Sequence, residues 1–448
     1  MELLIEKLIY GGDGLAHLPA DEHGKGKAVF VPFVLAGERL EAALTAHKPG
    51  FARARLERLL EPSPTRVQPG CPYFGECGGC HYQHAAYDHQ LEIKSEILRE
   101  TIRRGAKLEL PQIQAHRSQP WNYRNRTRMQ VRAIDDFALG YFRSGSREVM
   151  AIEQCPISSS LINRAIATLW DMGRATRFWQ PVMEGEFFAD AGDRNLLVEF
   201  TVPDGYWKTP SRPDVVEFVR ELRAAMPQIA GVAVFKRLRD GSLVREEPPQ
   251  ELRDKFGADA LTYCAAGCNY QVSAGSFFQT NRLLLDKMIS LVLAGDRSGH
   301  FALDLYAGAG LFTLPLSQNF REVAAVEPAP FSFHDLQANS PASVTAYRTT
   351  TEKFLGHLPE GVHFDYVVVD PPRAGLGESV ARQLTQLAAP HLTYASCDPA
   401  TLARDLRVLT AAGYRVEQAH LVDLFPQTFH IETVLHLARP ARVAGERM

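Results

Sequence analysis

The chain of 448 residues has no apolar run long enough to cross a bilayer, and Glu2, Glu6 and Lys7 interrupt its first apolar stretch. We therefore expect a cytoplasmic protein without membrane contact. Acidic and basic residues nearly balance at a formal net charge of −3, so nucleic-acid binding would require a local basic surface. Cysteine is sparse and odd in number, at seven, which argues against a secreted disulfide framework and favours metal binding or catalysis.

The length and the 45% of hydrophobic residues predict several domains. Residues 1–62 hold short apolar stretches separated by turn residues, a pattern typical of a small β-barrel. Residues 63–270 are the predicted central domain, in which DHQLEIKSEILRETIRR forms a helix and the residues from about 117 onward form mostly strands with connecting helices. Residues 271–448 alternate strands and helices, which predicts an α/β, doubly wound parallel sheet that binds ligands at the carboxyl ends of its strands.

Three of the cysteines fall within the segment CPYFGECGGCHYQH, which begins at residue 71. Their spacing, C-x5-C-x2-C, occurs in iron–sulfur proteins, but four thiolates also form structural zinc sites. We expect His81 and His84, in the same segment, to pack or to form hydrogen bonds nearby. Cys264 and Cys268 are interpreted as packing residues.

A basic segment without acidic residues lies between residues 117 and 132. If YRNRTRMQVR forms a strand, alternate side chains share one face, which predicts a positive stripe suited to nucleic-acid phosphates. A solvated strand face is the alternative, because charge runs usually have no other role. The predicted stripe consists of Arg124, Arg126, Arg128 and Arg132.

A glycine-rich turn, DLYAGAG, follows the strand FALDL and precedes a helix. Such a turn brings backbone close to a nucleotide, and Glu327, at the end of the next strand, is placed for ribose hydroxyls. Only Gly308 and Gly310 remain of the G-x-G-x-x-G spacing that seats a pyrophosphate. S-adenosylmethionine carries no phosphate, so this departure favours that cofactor.

Two further loops follow strands of the same predicted sheet. Asp370 opens a loop stiffened by two prolines, where a planar substrate would meet the cofactor. Cys397 ends a strand just before a helix that Asp398 caps and Pro399 begins. A helix N-terminus lowers the pKa of a neighbouring thiol, which predicts a reactive Cys397.

The residues resemble the RNA (uracil-5-)-methyltransferase family, and within it the iron–sulfur branch with a TRAM domain, typified by the enzymes that act on 23S ribosomal RNA. The resemblance spans nearly the whole chain, with the motifs in the family's order. They are IEKLIYGGDGLAH, CPYFGECGGCHYQH, YRNRTR, SAGSFFQTN, LDLYAGAGLFTLPL, VVVDPPRAGL, SCDPATLARDL and FPQTFHIETV.

The resemblance implies a class I Rossmann-like methyltransferase domain with a catalytic thiol and a general base. Cys397 would add to C6 of uracil, so that C5 becomes nucleophilic toward the methyl group of S-adenosylmethionine, and Glu432 would then remove the C5 proton. Asp398 stands where the family more often has Asn, and its charge would oppose thiolate formation. The residues implied to bind S-adenosylmethionine or to order its site are Gln279, Tyr306, Glu327 and Asp370.

The resemblance also implies a [4Fe-4S] cluster in the central domain. We expect a structural role for it, because uracil methylation requires no electron; zinc is the main alternative. Its implied ligands are Cys71, Cys77, Cys80 and Cys155.

The predicted function is thus C5 methylation of a uridine in RNA, with 23S rRNA as the preferred substrate, transfer RNA as the alternative and a monomer as the default. A non-catalytic RNA-binding or ribosome-assembly factor is a competing function, although such a protein has no use for Cys397 and Glu432. Cytosine-5 methylation is disfavoured, because those enzymes carry a Pro-Cys motif where this chain has Asp370-Pro371-Pro372. A radical enzyme is disfavoured because the cluster loop has a candidate fourth ligand.

Overall fold

The structure of this protein is a computed structural model that describes seven stretches of the chain. The parts of the predicted domains that lie between these stretches, and residues 440–448, are outside the described residues. Within those stretches, no helix combines the length and the apolar character that crossing a membrane requires. The described stretches are 1–18, 26–132, 137–175, 182–204, 213–246, 253–293 and 297–439.

The amino-terminal unit is a single sheet of six strands in the order β1-β5-β6-β4-β3-β2. Its buried face encloses a small core of its own, which includes Leu3, Val29, Val31 and Leu40. All six strands lie within residues 1–62, for which the sequence predicts a unit of short strands. The strands are β1 (Glu2–Leu4), β2 (Lys7–Leu8), β3 (Asp13–His17), β4 (Ala28–Pro32), β5 (Arg39–His47) and β6 (Phe51–Glu61).

The chain then forms one long helix and a short strand before it enters a second sheet. That sheet has seven strands in the order β10-β9-β8-β11-β12-β13-β14, and helices pack on it over a separate core. These elements are α1 (Tyr87–Ala106), β7 (Ile113–His116), β8 (Arg126–Arg132), β9 (Ala138–Phe142), β10 (Val149–Ala151), α2 (Ser160–Ala175), β11 (Glu184–Ala189), β12 (Leu196–Pro203), α3 (Pro213–Ala225), β13 (Ile229–Arg237), β14 (Leu243–Glu246) and α4 (Arg253–Phe256).

The carboxy-terminal unit is an eight-stranded sheet in the order β19-β18-β17-β20-β21-β23-β22-β7, preceded by the hairpin β15-β16. Neighbouring strands from β19 to β21 pair in parallel, whereas β23 is antiparallel to both of its neighbours. The predicted doubly wound sheet is therefore present. Its elements are β15 (Ala260–Ala265), β16 (Cys268–Ser273), α5 (Leu285–Val292), β17 (Gly299–Leu305), α6 (Thr313–Asn319), β18 (Phe320–Val326), α7 (Pro330–Asn339), β19 (Val344–Tyr347), α8 (Thr351–Gly356), β20 (Tyr366–Val369), α9 (Gly377–Leu387), β21 (His391–Ser396), α10 (Pro399–Ala411), β22 (Arg415–Val422) and β23 (Glu432–Ala438).

Two segments that we predicted in the central domain belong to the carboxy-terminal unit by their contacts. The helix predicted after the cysteine loop is α1, whose buried Ile93, Ile97 and Leu98 join the core beneath the eight-stranded sheet, and β7 extends that sheet beside β22. The β15-β16 hairpin shares a core with the strands of the same sheet. Sequence periodicity identifies a helix or a strand but not the sheet that it joins. The boundary between the central and carboxy-terminal units therefore follows only from the tertiary structure.

The predicted arginine stripe is not a free positive surface. Strand β8 begins only at Arg126, which is 8% exposed and binds Glu186 and Glu199. Arg128 is paired with Glu186, because β11 places Glu186 directly opposite it. The four arginines therefore do not share one free face: Arg124 is half-buried and Arg126 is buried, whereas Arg128 and Arg132 are exposed and Arg128 is paired with Glu186.

The two cysteines outside the predicted ligand and catalytic sets differ in environment. Cys268 is buried, as expected of a packing residue. Cys264 is exposed instead, and its thiol donates a hydrogen bond to Asn269 on the paired strand. The packing interpretation was therefore wrong for Cys264, because strand alternation turns it to the solvent face of the hairpin.

We expect Arg126→Met to destabilise the protein by about 3–5 kcal/mol, because it leaves the buried Glu199 without its cation and removes one of the two cations that pair with the buried Glu186. The measurement is the shift of the urea unfolding midpoint, and Arg132→Met, at an exposed position, serves as the control with little change. If Arg126→Met weakened RNA binding at unchanged stability, Arg126 would instead serve the RNA surface.

Candidate active site

A cavity of about 530 Å³ opens at the carboxyl ends of the parallel strands. The loops that follow β17, β18, β20 and β21 meet there, as the geometry of a parallel sheet requires. Seven of the eight residues predicted for catalysis or cofactor binding line it. They are Gln279, Tyr306, Gly308, Glu327, Asp370, Cys397 and Glu432.

Glu432 reaches this edge of the sheet because its strand runs in the opposite direction. β23 is antiparallel to β21 and β22, so its first residue lies beside the last residues of its neighbours. In this register Thr433 pairs with Ser396, the residue before Cys397, and Glu432 pairs with Val422. The predicted base and the predicted nucleophile, far apart in sequence, therefore line the same cavity.

The glycine turn after β17 has left-handed backbone at three positions. Tyr306 has φ 64°, Gly308 φ 57° and Gly310 φ 91°. At Gly308, which faces the cavity, no atom lies within 4 Å of the position of a Cβ, so a ligand can approach the backbone. Gly310 does not line the cavity; a Cβ there would lie 3.0 Å from Leu314 of the following helix, so its role is close packing.

The carboxylates of the cavity are held by hydrogen bonds. Glu327 accepts hydrogen bonds from the backbone N–H groups of Gly308 (2.9 Å) and Ala329 (2.7 Å). Gln279 donates its side-chain amide to Asp370 at 3.5 Å. Burial raises the pKa of Asp370 to about 7, and it raises the pKa of Glu432, helped by the charge of Asp370.

The environment of Cys397 differs from the sequence expectation. Asp398 caps α10 as predicted and accepts hydrogen bonds from Ala400 and Thr401, both at 2.9 Å. The pKa of Cys397 is nevertheless raised to about 12, first by burial and then by Glu432, Asp370 and Asp398, against a lowering by Arg373. The helix N-terminus therefore does not outweigh burial and the nearby carboxylates, which both oppose the charge of a thiolate.

Sequence reasoning did not assign several other groups at the cavity. Phe277 is 64% exposed and Phe278 is buried, and both line the cavity. Arg373 and His430 line it together, with Arg373 Nη2 3.4 Å from His430 Nδ1. The hydroxyl of Tyr10, on the amino-terminal sheet unit, lies 3.4 Å from the carbonyl oxygen of Cys397. Arg373 and His430 belong to quoted motifs, but no local signal indicates Tyr10.

A second cavity, of about 560 Å³, lies between the cysteine loop and the central sheet. All four predicted ligands line it, together with Arg124 and His430. His81 and His84 do not: the His81 ring packs on Phe429, and His84 Nε2 lies 3.2 Å from the carbonyl oxygen of Val34. The four lining cysteines are Cys71, Cys77, Cys80 and Cys155.

The thiols of this second cavity influence one another. Burial raises the pKa of Cys77 to about 11 and of Cys80 to about 12, and the neighbouring thiol of Cys155 adds to both shifts. Among the described residues, no group of three or more His, Cys, Asp or Glu side chains is arranged to hold a single metal ion.

Comparisons with known proteins agree with this geometry. The tRNA (uracil-5-)-methyltransferase family matches residues 250–440, and the TRAM domain matches residues 1–56. An uncharacterized RNA methyltransferase of Aquifex aeolicus is 32% identical, over 97% of each chain. A 23S rRNA (uracil(1939)-C(5))-methyltransferase of Pectobacterium atrosepticum is also 32% identical, over 92% of this chain and 88% of its own.

This chain belongs to the RNA (uracil-5-)-methyltransferase family. The predicted family, enzyme class and amino-terminal TRAM domain are therefore confirmed. The fold of this methyltransferase also matches the crystal structure of the tRNA (uracil-54, C5)-methyltransferase of Pyrococcus abyssi, determined in complex with S-adenosyl-L-homocysteine. That match has a TM-score of 0.73 at 22% identity and covers 98% of this chain and 100% of the other.

We expect Asp370→Asn to lower the pKa of Cys397, because Asp370 is ionised above its pKa of about 7 and its charge then opposes the thiolate. Below the thiol pKa, each unit of decrease raises the thiolate fraction about tenfold. Alkylation of Cys397 by iodoacetamide at pH 8, followed on its peptide by mass spectrometry, should accelerate several-fold. Asp365→Asn, at the opposite end of β20, removes the same charge and should change nothing; equal rates in both variants would contradict the electrostatic account.

Proposed function

We propose that this methyltransferase transfers a methyl group to C5 of a uridine in 23S rRNA, through a covalent adduct with Cys397. One observation carries the proposal: a thiol and a buried carboxyl group line the cavity that also contains the glycine turn. A protein that only bound RNA would have no need for that combination.

The chemistry requires a nucleophile because C5 of uracil reacts poorly with an electrophilic methyl group. The Cys397 thiolate adds to C6, a C6–S bond forms, and the electron pair of the C5–C6 double bond moves into an enolate that makes C5 nucleophilic. The guanidinium of Arg373 lowers the pKa of Cys397 and so favours the thiolate. S-adenosylmethionine, when bound, would supply the methyl group to C5 and leave as S-adenosylhomocysteine.

Glu432 is proposed as the base that completes turnover. It accepts the C5 proton, the C5–H electron pair re-forms the double bond, and the C6–S bond breaks to release Cys397 as thiolate. Glu432 is 3% exposed, and burial raises its pKa. A carboxylate with a raised pKa is a stronger base near neutral pH than an exposed one.

The cavity residues fit S-adenosylmethionine in charge and shape. Three carboxyl groups, Glu327, Asp370 and Glu432, line the same space, so a cationic ligand such as a sulfonium is electrostatically favoured there. Gly308 leaves room for the ligand at the turn. The groups proposed to hold it are Gln279, Tyr306, Gly308, Glu327 and Asp370, with Gly310 shaping the turn.

The choice of 23S rRNA rests on the relatives. Proteins named as 23S rRNA (uracil(1939)-C(5))-methyltransferases in Pectobacterium atrosepticum and Shewanella amazonensis are 32% and 29% identical to this chain. The Pyrococcus protein named for a transfer RNA position is 22% identical. We further propose that the TRAM unit contacts the RNA, that Arg132 adds to that surface, and that the protein acts as a cytoplasmic monomer.

We also propose that Cys71, Cys77, Cys80 and Cys155 hold a [4Fe-4S] cluster. The four thiols line one cavity, and the first three have the C-x5-C-x2-C spacing that occurs in iron–sulfur proteins. A single zinc ion held by four thiolates is the alternative. The proposed role of the cluster is structural, since it would join the cysteine loop to Cys155, just after β10 of the central sheet.

We expect Cys397→Ser to reduce methyl transfer to 23S rRNA by roughly a thousandfold or more, since the nucleophile is lost, while RNA affinity stays near that of the wild type. The measurement is incorporation of labelled methyl from S-adenosylmethionine, with Cys264→Ser as a matched control. Unchanged turnover in Cys397→Ser would contradict the mechanism.

The same assay identifies the substrate, because it shows which RNA acquires the labelled methyl group. Methylation of 23S rRNA, and not of unmodified transfer RNA, supports the first choice, whereas the reverse result would assign transfer RNA. Tight RNA binding without methylation of either RNA would favour the binding factor.

Protein purified without oxygen should contain about four iron and four sulfide per chain. Cys77→Ser should lose most of both and unfold at a lower temperature, because a thiolate ligand is missing. Cys264→Ser, outside the cavity, should retain both. About one zinc per chain, without sulfide, would contradict the cluster.

A further inference from the structure

The segment that delivers the proposed base is residues 423–431, which connect β22 to β23 and are called the base loop here. Phe425 and His430 of this loop line the active-site cavity, and Glu432 follows directly after it. The loop has no regular secondary structure, so its conformation depends on contacts from outside.

The strongest of these contacts comes from Lys94 on α1. Its ammonium group donates to Asp423 Oδ1 at 2.6 Å and to the carbonyl oxygen of Phe425 at 3.0 Å. Both side chains of the Lys94–Asp423 pair are completely buried. Two apolar residues of similar volume often stabilise a protein as well as a buried ion pair does, so stability alone does not account for this pair.

Gln90 lies one helical turn before Lys94 on the same face of α1. Its amide makes two reciprocal bonds to one residue of the loop: Nε2 donates to Gln427 Oε1, and Oε1 accepts from the Gln427 backbone N–H, both at 3.0 Å. Gln427 has φ 70°, a left-handed conformation that a non-glycine residue keeps only where its surroundings enforce it. The pair Lys94 and Gln90 thus fixes the loop at both Asp423 and Gln427.

The cysteine loop holds the other side of the base loop. The backbone N–H groups of His81 and Tyr82, which follow Cys80, donate to the carbonyl oxygen of Gln427 at 2.8 and 3.0 Å. His430 lines both the cysteine cavity and the active-site cavity. The base loop is therefore the common wall of the two cavities.

We propose that Lys94 and Gln90 are positioning residues for proton removal: their bonds to the base loop hold Glu432 where it reaches the C5 proton. The inference rests on the proposed function, which assigns Glu432 as the base. Cys397 lies between β21 and α10, outside the base loop, so this clamp does not set its position, and we expect proton removal to be affected more than addition to C6 and methyl transfer. Loosening the loop should therefore slow the last step and leave the protein bound covalently to methylated RNA.

The test uses the full-length double variant Lys94→Met/Asp423→Asn, which removes the ion pair without leaving a buried unpaired charge. With 23S rRNA and S-adenosylmethionine, we expect turnover to fall at least tenfold and a covalent RNA adduct to accumulate on denaturing gels. Affinity for S-adenosylmethionine should stay within about twofold of the wild type. Glu432→Gln gives the reference adduct, and Glu100→Gln, which removes an ion pair farther along α1, should form none.

If the Lys94–Asp423 pair served only stability, the double variant would have lower activity without an adduct, and that result would overturn the proposal. Wild-type turnover in the double variant would also overturn it. If the double variant does not fold, Gln90→Leu provides the same readout, again with an adduct expected and its absence contradicting the clamp. RNA that carries 5-fluorouridine at the target distinguishes a failure of the clamp from a failure of the proposed function. Trapping by the wild type supports the proposed function independently of the clamp, whereas no trapping would overturn the proposed function and the clamp with it.

Discussion

The pairing register of β23 is the constraint on which the candidate site depends. This strand runs antiparallel between two strands of the parallel set, so its first residue lies at the edge where its neighbours end. Cys397 and Glu432 therefore line one cavity although they lie on different strands. A shift of one residue in this register would turn Glu432 to the other face of the sheet and remove the carboxyl group from the cavity.

The buried carboxyl groups of the active-site cavity have two opposing effects. Buried carboxyl groups suit a cationic methyl donor and provide a base, but the same charges raise the pKa of the Cys397 thiol. The raised pKa values of Asp370 and Glu432 reduce this conflict, because a protonated carboxyl group does not repel a thiolate. The protonation states of these three groups are therefore linked, and no one of them titrates independently.

Three parts of the chain meet around the base loop. The amino-terminal unit contributes Tyr10, whose ring packs edge-on against Phe429, and α1 contributes Lys94 and Gln90. The cysteine loop contributes His81, whose ring also packs on Phe429. Contacts of this kind explain how elements remote from the reacting atoms determine where the base lies, and they give the cysteine cavity a physical connection to the active site without any electron transfer.

The sequence by itself determined the kinds of chemistry and the local elements that carry them. The glycine turn, the capped helix after Cys397 and the alternation of strands and helices follow from local periodicity and turn residues, and each was predicted correctly. Local pattern did not reveal that α1 and β7 join the carboxy-terminal sheet, that Arg126 is paired with Glu186 and Glu199, or that carboxylates raise the pKa of Cys397. These features depend on which residues meet across long sequence separations, and burial and charge act through distance in space, so only the tertiary structure decided them.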